Sequence, residues 1–436
     1  MNNIKEELRK VFMNNPDVIG AGYGKKITNN FVTDEKCLSF GVIKKLPLSE
    51  ISPENLIPSE IEIDGVVYKT DVTQLGGVKP MICSLPASCY NCYDAVNGIP
   101  CATNASAARP IKGGTVFQMY GGYGTLGFFA VHTATQAIVA ITNAHVADIQ
   151  LYTNSYTGGA RNYGAKSLST FTKRYPLGVP TTNTWSWFNS TAFGMPANIS
   201  KGFPPPFANK VDTAMVAIKQ YDTGNIPFIT NAESWKQIGL SDITGGINTP
   251  PTFASTQELD ALMDFTDLEV WSSGARTGAK KGECSFKILS DDYDFSMYVD
   301  AGYIFTYLNT IKISRSDISC VAINGGDSGS ALMGKVPTYN PADPNWKNGV
   351  RTWKILGLVY AGLVSDTDNY GIACRIDHVA QKLGIQAWDG TPKPFLDIPN
   401  MDYKVLEGPI LDNPKTIDGK EYWQLGRINK KSTIFS

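Results

Sequence analysis

A serine sits inside a glycine-rich turn, Asn324-Gly325-Gly326-Asp327-Ser328-Gly329-Ser330, that runs straight into the apolar Ala331-Leu332. The glycines let the backbone fold tightly enough to present a hydroxyl while aiming main-chain N–H groups into the same small space. Taken alone, Gly-Asp-Ser-Gly fits an ordinary polar turn as well as it fits a nucleophile, so partners elsewhere decide. A serine hydroxyl attacks a carbonyl poorly unless a base takes its proton, and an acid must hold that base in the right tautomer. The chain has only three histidines, His132, His145 and His378. His132 falls in a polar turn region and His378 opens a short helix late in the chain. His145 ends an apolar strand, in Thr142-Asn143-Ala144-His145-Val146, where the polar run before it favours function over simple burial. An acid that orients an imidazolium works best in an apolar setting. Asp212 heads Val211-Asp212-Thr213-Ala214-Met215-Val216-Ala217-Ile218 as a lone carboxylate, whereas Asp242, Asp260, Asp264 and Asp267 lie in polar loops. His145, Asp212 and Ser328 are therefore the candidate catalytic residues.

The elements that must position them read as mainly β. With 41 Gly, 25 Pro and only 18% charged residues in 436, short strands and tight turns are favoured over long solvent-facing helices, and the length predicts two or three domains. The formal net charge of -1 leaves no basic footprint, so neither nucleic acid nor an acidic membrane surface is expected as a partner. The first residues alternate charges at helical period and hold no apolar run that could serve as a signal peptide, and no later stretch could span a bilayer. A cytoplasmic, bacterial-type protein is expected. Cys83, Cys89, Cys92 and Cys101 crowd together, and Cys37, Cys284, Cys320 and Cys374 are scattered. One C-x-x-C can hold a metal or pair as a disulfide, but the flanking spacings fit no standard zinc module, so free thiols, no metal and no cofactor are expected.

In chain order, Ile4 to Asn14 predicts an amphipathic helix. Val18 to Gly24 predicts a strand thinned by glycines that opens no helix, and so no dinucleotide site. A strand over Cys37 to Ile43, a short helix over Pro47 to Leu56 with Ser49 and Ser52 as candidate caps, and a hairpin turning at Asp64-Gly65 complete a small α/β domain over residues 1–76. Residues 77–109 read as a Cys-containing linker. Barrel-like strand texture runs over 110–218, interrupted by a polar and aromatic insertion at 149–209 that ends in the stiff Phe203-Pro204-Pro205-Pro206-Phe207. An inter-barrel connection at 219–264, strand texture again over 265–383 with a helix at Asp377 to Leu383, and a tail at 384–436 follow.

The order His145, Asp212, Ser328, with Thr-Asn-Ala-His, Val-Asp-Thr-Ala and Gly-Asp-Ser-Gly-Ser around them, resembles the chymotrypsin/trypsin-like serine peptidases. That order differs from those of subtilisins and α/β-hydrolases. Arg109-Pro110-Ile111-Lys112-Gly113-Gly114, Gly124-Thr125-Leu126-Gly127 and Gly274-Ala275-Arg276-Thr277-Gly278, together with the N-terminal domain, resemble the bacterial and plant members that carry such an extension. The likeness covers residues 15 to 383. It implies two packed six-stranded β-barrels with the triad in the cleft between them. It further implies Ser328 as nucleophile, His145 as base and then acid, Asp212 as its orienter, and the N–H groups of Gly326 and Ser328 as an oxyanion hole. The specificity pocket implied has Ala322 as its floor and Tyr360, Ala361, Gly362 and Gly371 as walls. No carboxylate stands on that floor, so an uncharged side chain is the expected preference unless Asp366 or Asp368 reaches in. In many relatives a freed Ile-x-Gly-Gly terminus pairs with the acid before the serine, here Asp327. Ile111-Lys112-Gly113-Gly114 has that look, but Pro110 opposes cleavage there and the first barrel strand is the simpler reading.

The function expected is a serine endopeptidase acting on a restricted protein or peptide substrate, regulated by the N-terminal domain or by an activating partner. The alternatives are a peptidase-fold scaffold that binds a partner or forms homo-oligomers with an idle triad, and an esterase-like acyl transfer.

Overall fold

The computed structural model describes residues 2–15, 17–28, 31–76, 78–80, 83–84, 110–119, 122–143, 146, 165–170, 173–180, 211–218, 229–240, 246–265, 267–268, 270–275, 277–278, 285–299, 303–315, 323, 325–364, 369–394, 415–417 and 420–422. The chain begins with helix α1 (Asn2–Asn14), on which Ile4, Leu8, Val11 and Phe12 recur at helical spacing and pack on the sheet that follows. That sheet holds β1 (Val18–Thr28), β2 (Phe31–Val42), β3 (Glu60–Ile63) and β4 (Val66–Gln74). β2 and β4 run parallel, while β3 and β4 form the expected hairpin, with Asp64 and Gly65 both at positive φ (53° and 78°). The helix expected over Pro47 to Leu56 is instead two separate 3-10 turns, Leu48–Glu50 and Pro53–Asn55. Pro47, Pro53 and Pro58 each lack an N–H and bar a longer helix. Ser52 caps the second turn without a side-chain bond, and Ser49 lies inside the first.

Two short strands follow within the stretch expected to be a plain linker, β5 (Lys79–Pro80) and β6 (Cys83–Ser84). Next come β7 (Val116–Met119), β8 (Gly122–Thr125), β9 (Phe128–His132), β10 (Ala137–Thr142), β11 (Ala165–Thr170), β12 (Lys173–Pro180) and β13 (Ala214–Ile218). They pair in the order β9-β10-β13-β12-β11-β7-β8. Only Leu126 and Gly127 separate β8 from β9, so residues 122–132 act as one bent strand that begins and ends the path. Counted that way, six strands close into a barrel. β11 and β12 belong to this barrel although they lie in the expected insertion. Lys166, Ser167, Ser169 and Thr170 give no apolar period by which to find them.

After the parallel β14 (Thr252–Phe253) and helix α2 (Thr256–Leu259), the second barrel is built from β15 (Val270–Ser272), β16 (Phe286–Val299), β17 (Tyr303–Arg315), β18 (Ala331–Pro337), β19 (Arg351–Val364) and β20 (Asn369–Arg375). Their order, β15-β18-β19-β20-β17-β16, returns to its start where Val270 pairs with Phe286. Helix α3 (Ile376–Leu383) ends on Gly384 at φ 62°, and β21 (Ile385–Ala387) returns to pair with β9 of the first barrel. The hairpin β22 (Lys415–Ile417) and β23 (Lys420–Tyr422) stands apart. The chain is thus mainly β, two six-stranded barrels preceded by a small α/β unit.

The α/β unit is joined to the second barrel by strand pairing. β1 pairs antiparallel with β16, and this contact explains the glycines of the first strand. A Cβ on Gly20 would lie 2.5 Å from the Tyr293 hydroxyl, one on Gly22 2.6 Å from its ring, and one on Gly24 2.2 Å from the Leu289 carbonyl. Charged groups strengthen the joint. Arg9 Nε donates to Asp294 Oδ2 at 2.7 Å, and the buried Lys312 Nζ donates to Thr73 Oγ1 at 3.0 Å while lying over the rings of Tyr293 and Tyr370.

Candidate active site

The Ser328 turn sits where the barrels meet, and its backbone is held from both sides. Gly326 and Gly329 take positive φ (110° and 93°), a conformation L-residues with side chains rarely adopt. A Cβ on Gly329 would also meet the Thr125 carbonyl at 2.2 Å. From the first barrel, Thr125 N donates to Ser328 O at 2.7 Å and Thr125 Oγ1 to Gly326 O at 2.8 Å. Thr142 Oγ1 donates in turn to Thr125 O at 2.7 Å. From the second barrel, Gly329 N donates to Val359 O and Val359 N to Ser330 O, both at 2.9 Å. Ser328 has no exposed surface, and its Oγ donates to the Tyr360 carbonyl at 3.1 Å. Among the described residues, neither the Gly326 N–H nor the Ser328 N–H donates a hydrogen bond, although the turn around them is otherwise densely bonded.

Asp327 is locked by the turn after β15. Thr277 N donates to Asp327 Oδ1 at 3.0 Å, and a Cβ on Gly274 would fall 2.1 Å from that oxygen. Ala275 N donates to Thr125 Oγ1 at 2.8 Å, so the same turn reaches the first barrel. Ile111-Lys112-Gly113-Gly114 is built into the barrel wall: Ile111 is buried, Gly113 N donates to Lys236 O and Gly114 N to Leu126 O.

Asp212 is fully buried just ahead of β13. Its N–H donates to Cys374 Sγ at 3.0 Å, and its carbonyl accepts Asn143 Nδ2 at 2.6 Å. Burial, with Asp212 as the next cause, pushes the Cys374 thiol well above the ordinary cysteine range. Tyr360 is pushed up likewise, by burial first and then by Cys374, Tyr307 and Asp212. Cys374 of β20 pairs with Leu358 of β19, two residues before Tyr360, so Asp212 and Ser328 are bonded to neighbouring positions of two paired strands. His145 lies outside the described residues. Of the described residues near it in sequence, Asn143 binds Asp212, and Val146 lies near Gly124, on which a Cβ would meet both Val146 (2.5 Å) and Ser328 O (2.8 Å).

Of the expected pocket, Ala322, Asp366 and Asp368 lie outside the described residues. The Tyr360 ring lies against Tyr307 in the core, centroids 4.6 Å apart and tilted by 42°, and Ala361 and Gly362 continue the strand. Gly371 faces Ile323, whose Cδ1 fills the place of a Cβ at 2.2 Å. Asp260, Asp264 and Asp267 form ion pairs with Arg375, with Lys36 and Lys347, and with Arg351. Asp242 lies outside the described residues, as do Cys89, Cys92, Cys101, Cys284 and Cys320, while Cys37 and Cys374 are free and buried. His132 bonds Thr135, and His378 lies on α3 beside Asp377. Sequence reasoning missed Thr125, Thr142 and Cys374 as parts of the site. Thr125 and Thr142 stand inside quoted motifs, but no local signal marks Cys374, whose partner is 162 residues away.

Two six-stranded antiparallel barrels meeting at a Gly-Gly-Asp-Ser-Gly turn give the chain a chymotrypsin-like fold. No protein-family model matches the sequence, and a comparison with curated proteins gives no match. Among solved structures the chain is similar to a glutamic acid-specific serine protease that uses a novel histidine triad in substrate binding. The identity is 15% and the TM-score 0.35, with 64% of this chain and 100% of that one covered. It is also similar to protease A of Thermobifida fusca (13%, TM-score 0.31) and to the chymotrypsin of Cellulomonas bogoriensis (14%, TM-score 0.28), each covering 64% of this chain and 98% of the other. At these identities and TM-scores nothing about the chemistry follows from the likeness, and the chemistry rests on the residues.

Proposed function

We propose that the chain is a serine endopeptidase that cuts a restricted protein substrate through an acyl-enzyme, with Ser328 as nucleophile, His145 as base and then acid, and Asp212 orienting the imidazole. The observation that supports this reading is a chain of bonds: Thr125 holds the Ser328 carbonyl, Thr142 at the end of β10 holds Thr125, and the next residue, Asn143, holds the Asp212 carbonyl. Among the described residues the N–H groups of Gly326 and Ser328 donate no hydrogen bond, as an oxyanion hole requires. Ala322, Ala361, Gly362 and Gly371 would shape a pocket for an uncharged side chain. The ordered, doubly anchored serine turn speaks against an idle scaffold.

Covalent labelling with a fluorophosphonate probe tests the proposal. Labelling of the parent chain and its loss in Ser328→Ala and in His145→Ala are expected, because losing the nucleophile or base costs several orders of magnitude in turnover. Persistent labelling of Ser328→Ala would remove Ser328 from the mechanism.

A further inference from the structure

Asp212 belongs to no strand. The pairing of β10 with β13 stops at Thr142↔Ala214, and that of β12 with β13 stops at Pro180↔Val216. Within a ladder, a residue's N–H and C=O are held by neighbouring backbone whatever its side chains are. In Asp212, two residues ahead of β13, both groups are held by side chains. Its carbonyl accepts Asn143 Nδ2 at 2.6 Å, and its N–H donates to Cys374 Sγ at 3.0 Å. Asn143 directly follows β10 of the first barrel, and Cys374 stands on β20 of the second. The acid is therefore gripped by one side chain from each barrel.

Two features set these side chains apart from core filling. The Asn143 atom facing the Asp212 carbonyl has to be its amide nitrogen, because two carbonyl oxygens would repel at that distance. That leaves Asn143 Oδ1 inside the protein with no partner among the described residues. An orphaned buried acceptor is costly, so a position that only needed filling would be served better by leucine. What the amide adds is a donor for Asp212. Cys374 is fully buried as well, and burial first, then the Asp212 charge, keeps its thiol protonated. Both anchors are thus neutral and leave the charge of the carboxylate to the imidazole. Thr142, the residue before Asn143, holds Thr125 and through it the Ser328 carbonyl. The spacing between acid and nucleophile thus runs through two adjacent residues.

We propose that Asn143 and Cys374 are positioning residues for Asp212, whose grip on its backbone sets where the carboxylate stands relative to the Ser328 turn. The inference rests on the peptidase reading for its effect on catalysis, but not for the grip itself.

The test uses the full chain. Asn143→Leu and Cys374→Val remove the donor and the acceptor while keeping the space filled, and Cys374→Ser keeps an acceptor. In a Ser328→Ala background, amide exchange at residues 211–213 is expected to be at least about tenfold faster than in the parent for both removals, and within about threefold of it for Cys374→Ser. Unchanged exchange in both removals overturns the proposal whatever the activity. The parent alone also tests it. Although outside any strand, the Asp212 amide is expected to exchange as slowly as those of β13, and exchange at the rate of an exposed turn overturns the grip even if no variant folds. With Ser328 intact, both removals are expected to slow fluorophosphonate labelling about a hundredfold, the cost of a misplacement of about 1 Å, and Cys374→Ser to stay within about tenfold of the parent. The pH midpoint of labelling is expected to fall in both removals, because a carboxylate moved away from an imidazole no longer favours its protonated form. A lower urea midpoint with the labelling rate per folded chain and its pH midpoint unchanged would make both residues merely structural and overturns the proposal. If the parent does not label while the exchange differences stand, the grip on Asp212 holds and the peptidase reading falls.

Discussion

Gly274→Ala should disable the site from outside it. The added Cβ would lie 2.1, 2.4 and 2.7 Å from Oδ1, Cγ and Cβ of Asp327, so the whole side chain is in the way rather than one flexible tip. Asp327 cannot swing aside, because its carboxylate holds the Thr277 N–H at 3.0 Å and its carbonyl holds the Ser330 N–H at 3.0 Å. Restoring ordinary contact at 3.4 Å moves the carboxylate by about 1.3 Å, and the turn that carries Ser328 moves with it; a misplacement of about 1 Å at a reacting group costs about a hundredfold. The same overpacking is expected to cost about 1–3 kcal/mol of stability. The assay is the second-order rate of fluorophosphonate labelling relative to the parent chain, with the urea midpoint measured alongside. A labelling rate within about twofold of the parent, well short of the hundredfold expected from misplacement, together with an unchanged midpoint, would refute the claim that this turn locks Asp327.

Lys354→Met should destabilise strongly, since the Lys354–Glu258 pair is 2.6 Å apart with both side chains buried, and Glu258 is kept inside by the N–H groups of Tyr339 and Ser255. Stranding such a charge costs about 3–5 kcal/mol, and a urea midpoint close to that of the parent would contradict the account. For Asp291, burial is the main cause that raises the carboxyl to about 7, against about 3.9 when unfolded. The folded chain keeps a proton that the unfolded chain has released, so this contribution is present below about pH 4 and is lost as pH rises to 7. Asp291→Asn should therefore gain stability relative to the parent from pH 4 to 7, and a difference that stays flat with pH would count against it.

Much of the candidate site could be named before any fold was known. Gly-Gly-Asp-Ser-Gly, a histidine ending an apolar strand and an aspartate heading another are local patterns, and each reports how its own few residues must fold. The Asp64-Gly65 hairpin, the α1 helix and the strand-rich texture were legible for the same reason. Tertiary structure decided which strands are in the barrels and what holds the site. The Lys- and Ser-bearing β11 and the short β5 and β6 carry no periodicity; β11 is a strand because β7 and β12 flank it, and β5 and β6 because they pair with β19 and β8. Likewise, Thr277 lies 50 residues from the carboxylate it binds, and Cys374 lies 162 residues from Asp212. Periodicity and turn chemistry act within a few residues, so the sequence could name Ser328 and its candidate partners. Which strand edges stay unpaired depends on how the barrels close, and in this chain the edge at Ala361 and Gly362 is taken by Lys79–Pro80.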